Sequence, residues 1–547
     1  MQDRNAPPRR TYTPKPEQIN ALKALLEQGD SLELARLLGD DGSASLFVGR
    51  YTIRDEGMVR ETRRYFDTFA WQLHQAGLVL IKSDHKLILE TLDGAIKKRA
   101  PSPGNFRFAS DLPAESLRAD IEELIGVRAL LEQASVDMAT RRFAFLNEDE
   151  KTVVRLAVRE YGPPVTRRDG TPFLEVFILP VRGYKEARKT LQQQCKHAGL
   201  VKTNHTPLYP ELLAQARRQP GRYTARPDFD LRPDMAGEAA VRSVLRKLHD
   251  VMLTNEMGIV EDIDTEFLHD FRTALRRTRS LLSQAKGILP EDARSDYQQR
   301  FRALGKLTND LRDMDVYLLS QERYRAMLPT DLQPESEPLF DYLRRQRAIA
   351  LRRVRNGLAT QRHARLTAEW RDFLDEPVSP GSDAPQADIP IVVLARQRLL
   401  SQYRELINDG NLILETQDDT LMHPLRIDTK KLRYLLEFFS DILPGAEGAG
   451  FLKQLKSLQE NLGEFNDLAV QRAYLIHVAD ELPIQKRANR RTLVVIGVLV
   501  DQMILRQTKV RQDFRDIFAA FAAPATQHTV ARLLAMNGQT NGQEGKA

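Results

Sequence analysis

Two short segments of this chain carry basic residues and a histidine at the same spacing. In each segment a histidine is followed three, seven and ten positions later by an arginine or a lysine, and the second segment lies 154 positions after the first. The first set is His269, Arg272, Arg276 and Arg279, and the second set is His423, Arg426, Lys430 and Arg433. Guanidinium and ammonium groups hold phosphate oxygens through charge-assisted hydrogen bonds, so the pattern predicts an anion site.

Helical geometry places each set on one side of a helix. At about 100° per residue, the four members of a set fall within roughly 80° of arc. Apolar residues such as Phe271 and Leu275 occupy the neighbouring sector. No acid stands at the matching steps, so the cations repel one another along the helix. Arg277 and Lys431 add one further cation to each segment.

The two sets have a functional and a structural interpretation. A single arginine-rich helix is usually a solvated face, with its histidine as a cap or a core residue. Here the basic stripe is repeated in register beside the apolar stripe, which favours a groove between helices. Arg312-Asp313 also matches Asn466-Asp467 at the same shift, and we expect these acids to orient the arginines, with Mg²⁺ binding as the alternative. The basic runs at 344–355 and 486–491 either extend the groove or belong to the surface.

Composition and chain breakers set the domain organisation. The 547 residues are 42% hydrophobic and 29% charged, with a formal charge of +6, as in soluble multidomain proteins. Short β-rich runs mixed with helical stretches predict an α+β domain in the first part, and three- and four-residue apolar periodicity predicts an all-α second part. The predicted order is a disordered tail (1–16), an α+β domain (17–219), a linker (220–235), a first helical repeat (236–374), a linker (375–390), a second helical repeat (391–536) and a disordered tail (537–547).

The repeated helices resemble the CHAD family, the conserved histidine α-helical domain. The resemblance covers about residues 230–525 and is carried by His-x-x-Arg-x-x-x-Arg-Arg-x-Arg at 269–279 and His-x-x-Arg-x-x-x-Lys-Lys-x-Arg-Tyr at 423–434. It implies two four-helix bundles around a central basic channel that binds inorganic polyphosphate, often on polyphosphate granules. By the same resemblance the first and second sets line the channel, and Arg277 and Lys431 complete the expected binding residues.

The N-terminal domain resembles the CYTH fold, an antiparallel β tunnel found in triphosphate-processing enzymes and adenylyl cyclases. The similar segments are 64–80 and 173–179, the latter followed by a helix from Tyr184. The family's opening Glu-x-Glu-x-Lys strand is not found before residue 64, and only Glu175 remains of the later acids. Metal-assisted phosphoryl transfer needs acids for the cation and bases for the phosphates, so we expect a degenerate tunnel without metal or catalysis.

The sequence therefore predicts a non-enzymatic protein that binds polyphosphate, as a scaffold or on granules in the cytoplasm, without a cofactor. One alternative is a metal-dependent triphosphate or polyphosphate hydrolase acting through the CYTH-like domain. The other is a nucleic-acid-binding protein, which the lack of aromatic residues among the basic ones disfavours, Tyr434 excepted. A single cysteine, Cys195, excludes an internal disulfide and favours a reducing compartment. The longest apolar run, 493–500, is too short to cross a membrane.

Overall fold

The chain forms two compact units, Met1–Thr224 and Ala225–Ala547. The structure is a computed structural model that describes residues 10–29, 34, 37–38, 51–84, 86–162, 173–203, 208–376, 384–443, 449–482 and 487–534. The first unit is built on an antiparallel sheet and the second is helical. This confirms the predicted α+β domain followed by an all-α domain. None of the helices in these residues is long and apolar enough to cross a membrane.

A nine-stranded sheet organises the first unit, and each strand pairs antiparallel with its neighbours in the order β5-β4-β3-β2-β6-β7-β8-β1-β9. Its longest pairing joins β2 and β6, with a bulge at Gly57, whose φ of +84° suits glycine. The strands are β1 (Arg10–Thr13), β2 (Thr52–Asp67), β3 (Leu78–Ser83), β4 (Lys86–Thr91), β5 (Ile96–Pro101), β6 (Leu131–Leu146), β7 (Thr152–Gly162), β8 (Leu174–Pro180) and β9 (Val201–Thr203).

Helices cover both faces of this sheet. On one face, Leu25 and Leu191 pack with Val154 and the other apolar residues of the central strands. On the opposite face, Leu212 and its neighbours pack against Tyr65. The helices are α1 (Ile19–Gln28), α2 (Gln72–Gln75), α3 (Glu115–Ile125), α4 (Lys185–His197) and α5 (Leu208–Gln215). Full burial of each such leucine contributes about 1.5–3 kcal/mol, which explains why these helices stay on the sheet.

The second unit contains two successive sets of helices. The first repeat consists of α6 (Gly237–Glu261), α7 (Thr265–Gln284), α8 (Glu291–Leu307), α9 (Asn309–Leu319), α10 (Gln321–Ala326), α11 (Glu337–Leu358) and α12 (Gln361–Asp375). The second repeat consists of α13 (Ile391–Thr416), α14 (Met422–Phe438), α15 (Ala449–Glu481), α16 (Arg487–Phe521) and α17 (Pro524–Leu534). Helices α6 and α13 begin 154 positions apart, so the sequence repeat is also a structural repeat.

Apolar contacts join the two repeats into one core. Tyr317 of α9 stacks on Tyr474 of α15, with ring centroids 4.8 Å apart. Met314, Leu339 and Val495 belong to the same buried cluster. A core that draws side chains from both repeats fixes their relative placement.

One segment predicted to be disordered and one segment predicted to be a linker contain ordered backbone. Residues 10–13, within the predicted disordered tail, form β1 between β8 and β9, so that prediction is wrong for them. The partners of β1 lie more than 160 positions away, and such distant pairing leaves no signal in local composition. In the predicted linker at 375–390, Gln386 N donates to Gly287 O at 2.7 Å. Residues 377–383 and the predicted tail at 537–547 lie outside the described residues.

Candidate anion-binding site

Helix α7 positions the first set. Asp264 caps the helix by accepting hydrogen bonds from the backbone N–H groups of Glu266 and Phe267 at 2.9 and 3.3 Å. Phe267 and Phe271 are buried, and the ring of Phe267 lies where a Cβ on Gly258 of α6 would stand. The close crossing of α6 and α7 buries one side of α7 and leaves its basic stripe at the margin of the core.

Arg272 is held in place by neutral oxygen atoms. Its Nη1 donates to Thr308 Oγ1 at 2.7 Å and to Gly305 O at 3.2 Å. Burial, followed by repulsion from Arg276, lowers the pKa of Arg272 to about 10. Neither oxygen carries a formal charge, and Asp313, the match of Asp467, raises the pKa of Arg272 without forming an ion pair with it in the described residues. The guanidinium is therefore oriented without a direct carboxylate partner.

The other arginines of the first set are not ion-paired in the described residues. Arg276 donates to Thr273 Oγ1 at 3.1 Å, and neither Arg276 nor Arg279 has an ion pair within the residues that the structure describes. Arg312 of α9 is half-buried, and its Nη1 is buried without a hydrogen-bond acceptor in the same residues. An unsatisfied buried donor is uncommon in folded proteins, and here it points to an acceptor that a ligand would supply.

Helix α14 presents the second set, with different partners. Arg426 Nη2 donates to Asp467 Oδ1 at 2.9 Å, and His423 Nδ1 lies 2.5 Å from Asn466 Oδ1. Asp467 is the acid that the sequence repeat predicts as a partner of the arginines, and in this repeat it does contact one. In the first repeat, by contrast, Arg272 is hydrogen-bonded to Thr308 and Gly305.

Arg277 and Lys431 differ from the members of the two sets. Arg277 is buried and forms an ion pair with Glu437 of the other repeat. Lys431 Nζ lies 2.8 Å from Asp428 Oδ1. Both side chains were predicted to bind polyphosphate, but in the structure each is compensated by a carboxylate. Arg433 Nε also lies 3.2 Å from Glu437 Oε1, so Glu437 joins the two repeats.

Cations of the two repeats approach one another, because α7 and α14 are in contact. Burial lowers the pKa of Lys430 to about 8, with Arg426 of its own helix and Arg276 of α7 as the next causes. Arg276 also lowers the pKa of Arg312, after the effect of burial. Electrostatic repulsion of this size requires proximity. We call this group the basic site; its cations are Arg272, Arg276, Arg279, Arg312, Arg426, Lys430 and Arg433.

Arg312 is the member of the basic site that the sequence did not assign. The repeat aligns Arg312 with the neutral Asn466, and this difference in charge between the repeats was the one sign in the sequence that Arg312 could belong to the site.

The basic run at 344–355 is compensated by acids where it faces the core: Arg347 contacts Asp262 and Asp315 at 2.6 and 2.7 Å. Arg344 pairs with Glu337 at 2.9 Å. Lys486, at the start of the second run, lies outside the described residues.

One group of side chains could hold a cation. Glu266, His269 and Asp270 bring one donor atom each to within 4.8 Å of one another. Glu266 also interacts with Arg312, whose pKa it raises against the larger lowering effect of burial. A guanidinium beside the three donors opposes the binding of a cation there.

In the first unit, Glu175 is the acid on which the hydrolase alternative depends. It is 1% exposed, and its Oε2 accepts a hydrogen bond from Tyr161 Oη at 2.6 Å. On the same face of the sheet, Tyr209 of α5 stacks on Tyr65, with centroids 5.1 Å apart. Helix α5 and its apolar side chains therefore occupy part of the face that would line a tunnel.

Comparison with known proteins identifies part of the second unit. Residues 243–475 match the family model described as the CHAD domain. No curated protein matches the chain. Among solved structures, the CHAD domain from the plant Ricinus communis is 24% identical, with a TM-score of 0.46, and the match covers 55% of this chain and 96% of that one. PptA from Streptomyces chartreusis is 17% identical, with a TM-score of 0.39, and the match covers 52% of this chain and 99% of that one.

Proposed function

This chain carries a CHAD domain, which is associated with polyphosphate binding, and we propose that its basic site binds inorganic polyphosphate. The observation that supports the proposal most strongly is the incomplete charge compensation in the basic site. Arg272, Arg279 and Lys430 have no ion-pair partner within the described residues, whereas Arg277 and Lys431 beside them do. Like charges kept together without acids destabilise the fold unless a bound anion offsets the repulsion.

The ligand should be extended, because the cations come from both repeats. A chain of phosphates carries negative charge at short, regular intervals and can contact α7 and α14 at the same time. Contacts made by two linked parts of one ligand give higher affinity than either part alone. A single phosphate or a short oligophosphate would engage only one stripe.

The basic site favours an inorganic polyanion over a nucleic acid. Single-stranded nucleic acids bind through base stacking on exposed aromatic rings as well as through phosphates. Tyr434, the aromatic residue next to the second set, is only 4% exposed and cannot offer its face to a base. A polyphosphate chain has no bases and needs only cations.

We propose further that the protein is a binding protein and not an enzyme. Glu175 is buried and engaged with Tyr161, and α5 fills the adjoining face of the sheet. Purified full-length protein should therefore release no phosphate from tripolyphosphate or long polyphosphate with Mg²⁺ or Mn²⁺. Metal-dependent phosphate release that disappears in Glu175→Gln would contradict this. Association with polyphosphate granules belongs to the same proposal.

A competition experiment tests the ligand class. The full chain is saturated with fluorescently labelled long-chain polyphosphate and titrated with unlabelled polyphosphate, single-stranded DNA, double-stranded DNA or RNA at equal phosphate concentration. We expect polyphosphate to displace the label at least about tenfold more effectively than any nucleic acid, a difference of about 1.4 kcal/mol. Equal or better displacement by a nucleic acid would assign the basic site to that ligand.

A further inference from the structure

Lys430 is the one member of the basic site whose charge can change near physiological pH. The other cations of the basic site are arginines, which remain protonated under ordinary conditions. Lys430 is half-buried, and within the described residues its ammonium group has no hydrogen-bond or ion-pair partner. A lysine in such surroundings loses its proton more readily than one in water.

The charged groups around Lys430 come from three helices. Arg426 and Arg433 lie about one turn away on either side along α14, and Arg276 approaches from α7 in the other repeat. The one acid among these neighbours is Asp467 of α15, which is already hydrogen-bonded to Arg426. Burial is the main reason why the pKa of Lys430 falls to about 8, and Arg426, Arg276 and Arg433 lower it while Asp467 opposes them.

We propose that anion binding at the basic site is coupled to the uptake of a proton by Lys430. This inference rests on the proposed function. A polyphosphate chain brings several negative charges next to the ammonium group and offsets the repulsion from the three arginines. The ligand therefore stabilises the protonated form of Lys430, and protonation of Lys430 strengthens ligand binding by the same factor.

The sign and size of the effect follow from linkage. Protonated Lys430 binds the anion more tightly, so affinity is greatest below pH 8 and falls as the pH rises through 8. If the ligand restores the pKa of Lys430 to that of an ordinary lysine, the affinity should fall about tenfold between pH 7 and pH 9.

Calorimetry measures the proton directly. The full chain is titrated with long-chain sodium polyphosphate at pH 8.5 in two buffers of different ionisation enthalpy, and the difference in heat gives the number of protons taken up. We expect about 0.7 proton per site at pH 8.5 and about 0.1 at pH 7. Lys430→Arg keeps its charge throughout and should take up close to none, whatever its affinity. Lys456→Arg, at an exposed lysine that pairs with Glu460 at 3.7 Å, is the matched control and should behave as the wild type.

Each result has a separate meaning. Uptake that is present in the wild type and in Lys456→Arg but absent in Lys430→Arg supports the proposal. Tight binding at pH 7 and pH 8.5 without proton uptake overturns it and leaves the proposed function intact. Uptake that persists in Lys430→Arg overturns the assignment to Lys430. Failure to bind polyphosphate at pH 7 overturns the proposed function, and this inference with it.

Discussion

The two repeats share one architecture but treat their equivalent arginines differently. In the first repeat, Arg272 is hydrogen-bonded to the neutral oxygens of Thr308 and Gly305. In the second repeat, the matching Arg426 is paired with Asp467. Leu462 lies 154 positions after Thr308 and matches it in the second repeat. Its side chain is fully buried and offers no hydrogen-bond acceptor. The hydroxyl acceptor of Thr308 therefore has no counterpart at the matching position of the second repeat.

This difference shows that a guanidinium group can be oriented without its charge being neutralised. A hydroxyl or a backbone carbonyl fixes a guanidinium while its charge remains available to a ligand. A carboxylate fixes it equally well, but the ligand must then compete with the carboxylate for the same donors. The first repeat also has Arg312 where the second has Asn466. We therefore expect the first repeat to contribute more to the affinity for a polyanion.

The largest expected effect comes from removing the unpaired cations of the first repeat. Arg272→Ala with Arg276→Ala removes two charge-assisted contacts of about 1.5–3 kcal/mol each, so the affinity for long polyphosphate should fall on the order of 100-fold or more. The matching pair, Arg426→Ala with Lys430→Ala, should lose less, about tenfold, because Asp467 already compensates Arg426. Calorimetric titration at fixed salt measures both.

The control for this comparison removes two arginines outside the basic site, one of which is ion-paired and one of which is exposed. Arg344 pairs with Glu337 and Asp341 at 2.9 and 2.7 Å, and Arg345 is exposed. Arg344→Ala with Arg345→Ala should change the affinity by less than about twofold, as for exposed ion pairs in general. Equal losses in all three double variants would mean a diffuse basic surface in place of two unequal halves.

A smaller effect should follow from removing the neutral acceptor. Thr308→Val keeps the volume of the side chain but deletes the oxygen that accepts from Arg272. The guanidinium then loses its orientation, and we expect a loss of about three- to tenfold in polyphosphate affinity, equivalent to 0.7–1.4 kcal/mol. Circular dichroism and the midpoint of thermal unfolding check that the variant is folded. Unchanged binding by a folded variant would show that Thr308 does not orient the arginine.

The smallest effect has the opposite sign. Asp467→Asn removes the charge that competes with the ligand for Arg426, so the affinity should rise by about twofold to fivefold, with a larger gain at low salt. Glu464→Gln is the matched control, because Glu464 lies on the same helix and pairs with Arg506 at 2.6 Å. A loss of affinity in Asp467→Asn would mean that Asp467 positions Arg426 and does not compete with the ligand.

The sequence predicted the scaffold of the basic site better than its charge balance. Periodicity placed His269, Arg272 and the rest of each set on one side of a helix, because helix geometry depends on local spacing. It could not show that Glu437, 160 positions away and in the other repeat, neutralises Arg277. It also could not show that Thr308, which lies between α8 and α9, orients Arg272, because the sequence gives no sign of a threonine's partner.

The same limit applies to the first unit. Short β-rich runs at 78–82, 86–92, 152–158 and 173–179 predict strands, and the structure confirms them as β3, β4, β7 and β8. Strand β1 was not predicted, because its pairing with β8 and β9 is set by contacts across the whole unit. Local sequence pattern identifies individual strands, whereas long-range packing decides which further segments pair with those strands in the sheet.

The account depends most on the claim that both repeats contribute to one shared site. The most direct test is the ratio of the affinity for long polyphosphate to that for tripolyphosphate. It is measured for the wild type and for the two stripe variants, which are Arg272→Ala with Arg276→Ala and Arg426→Ala with Lys430→Ala. We predict a large ratio in the wild type that falls at least about tenfold when either stripe is removed, because bridging is then lost. The Arg344→Ala and Arg345→Ala control should keep the wild-type ratio. A ratio that stays the same in the stripe variants would contradict a shared site.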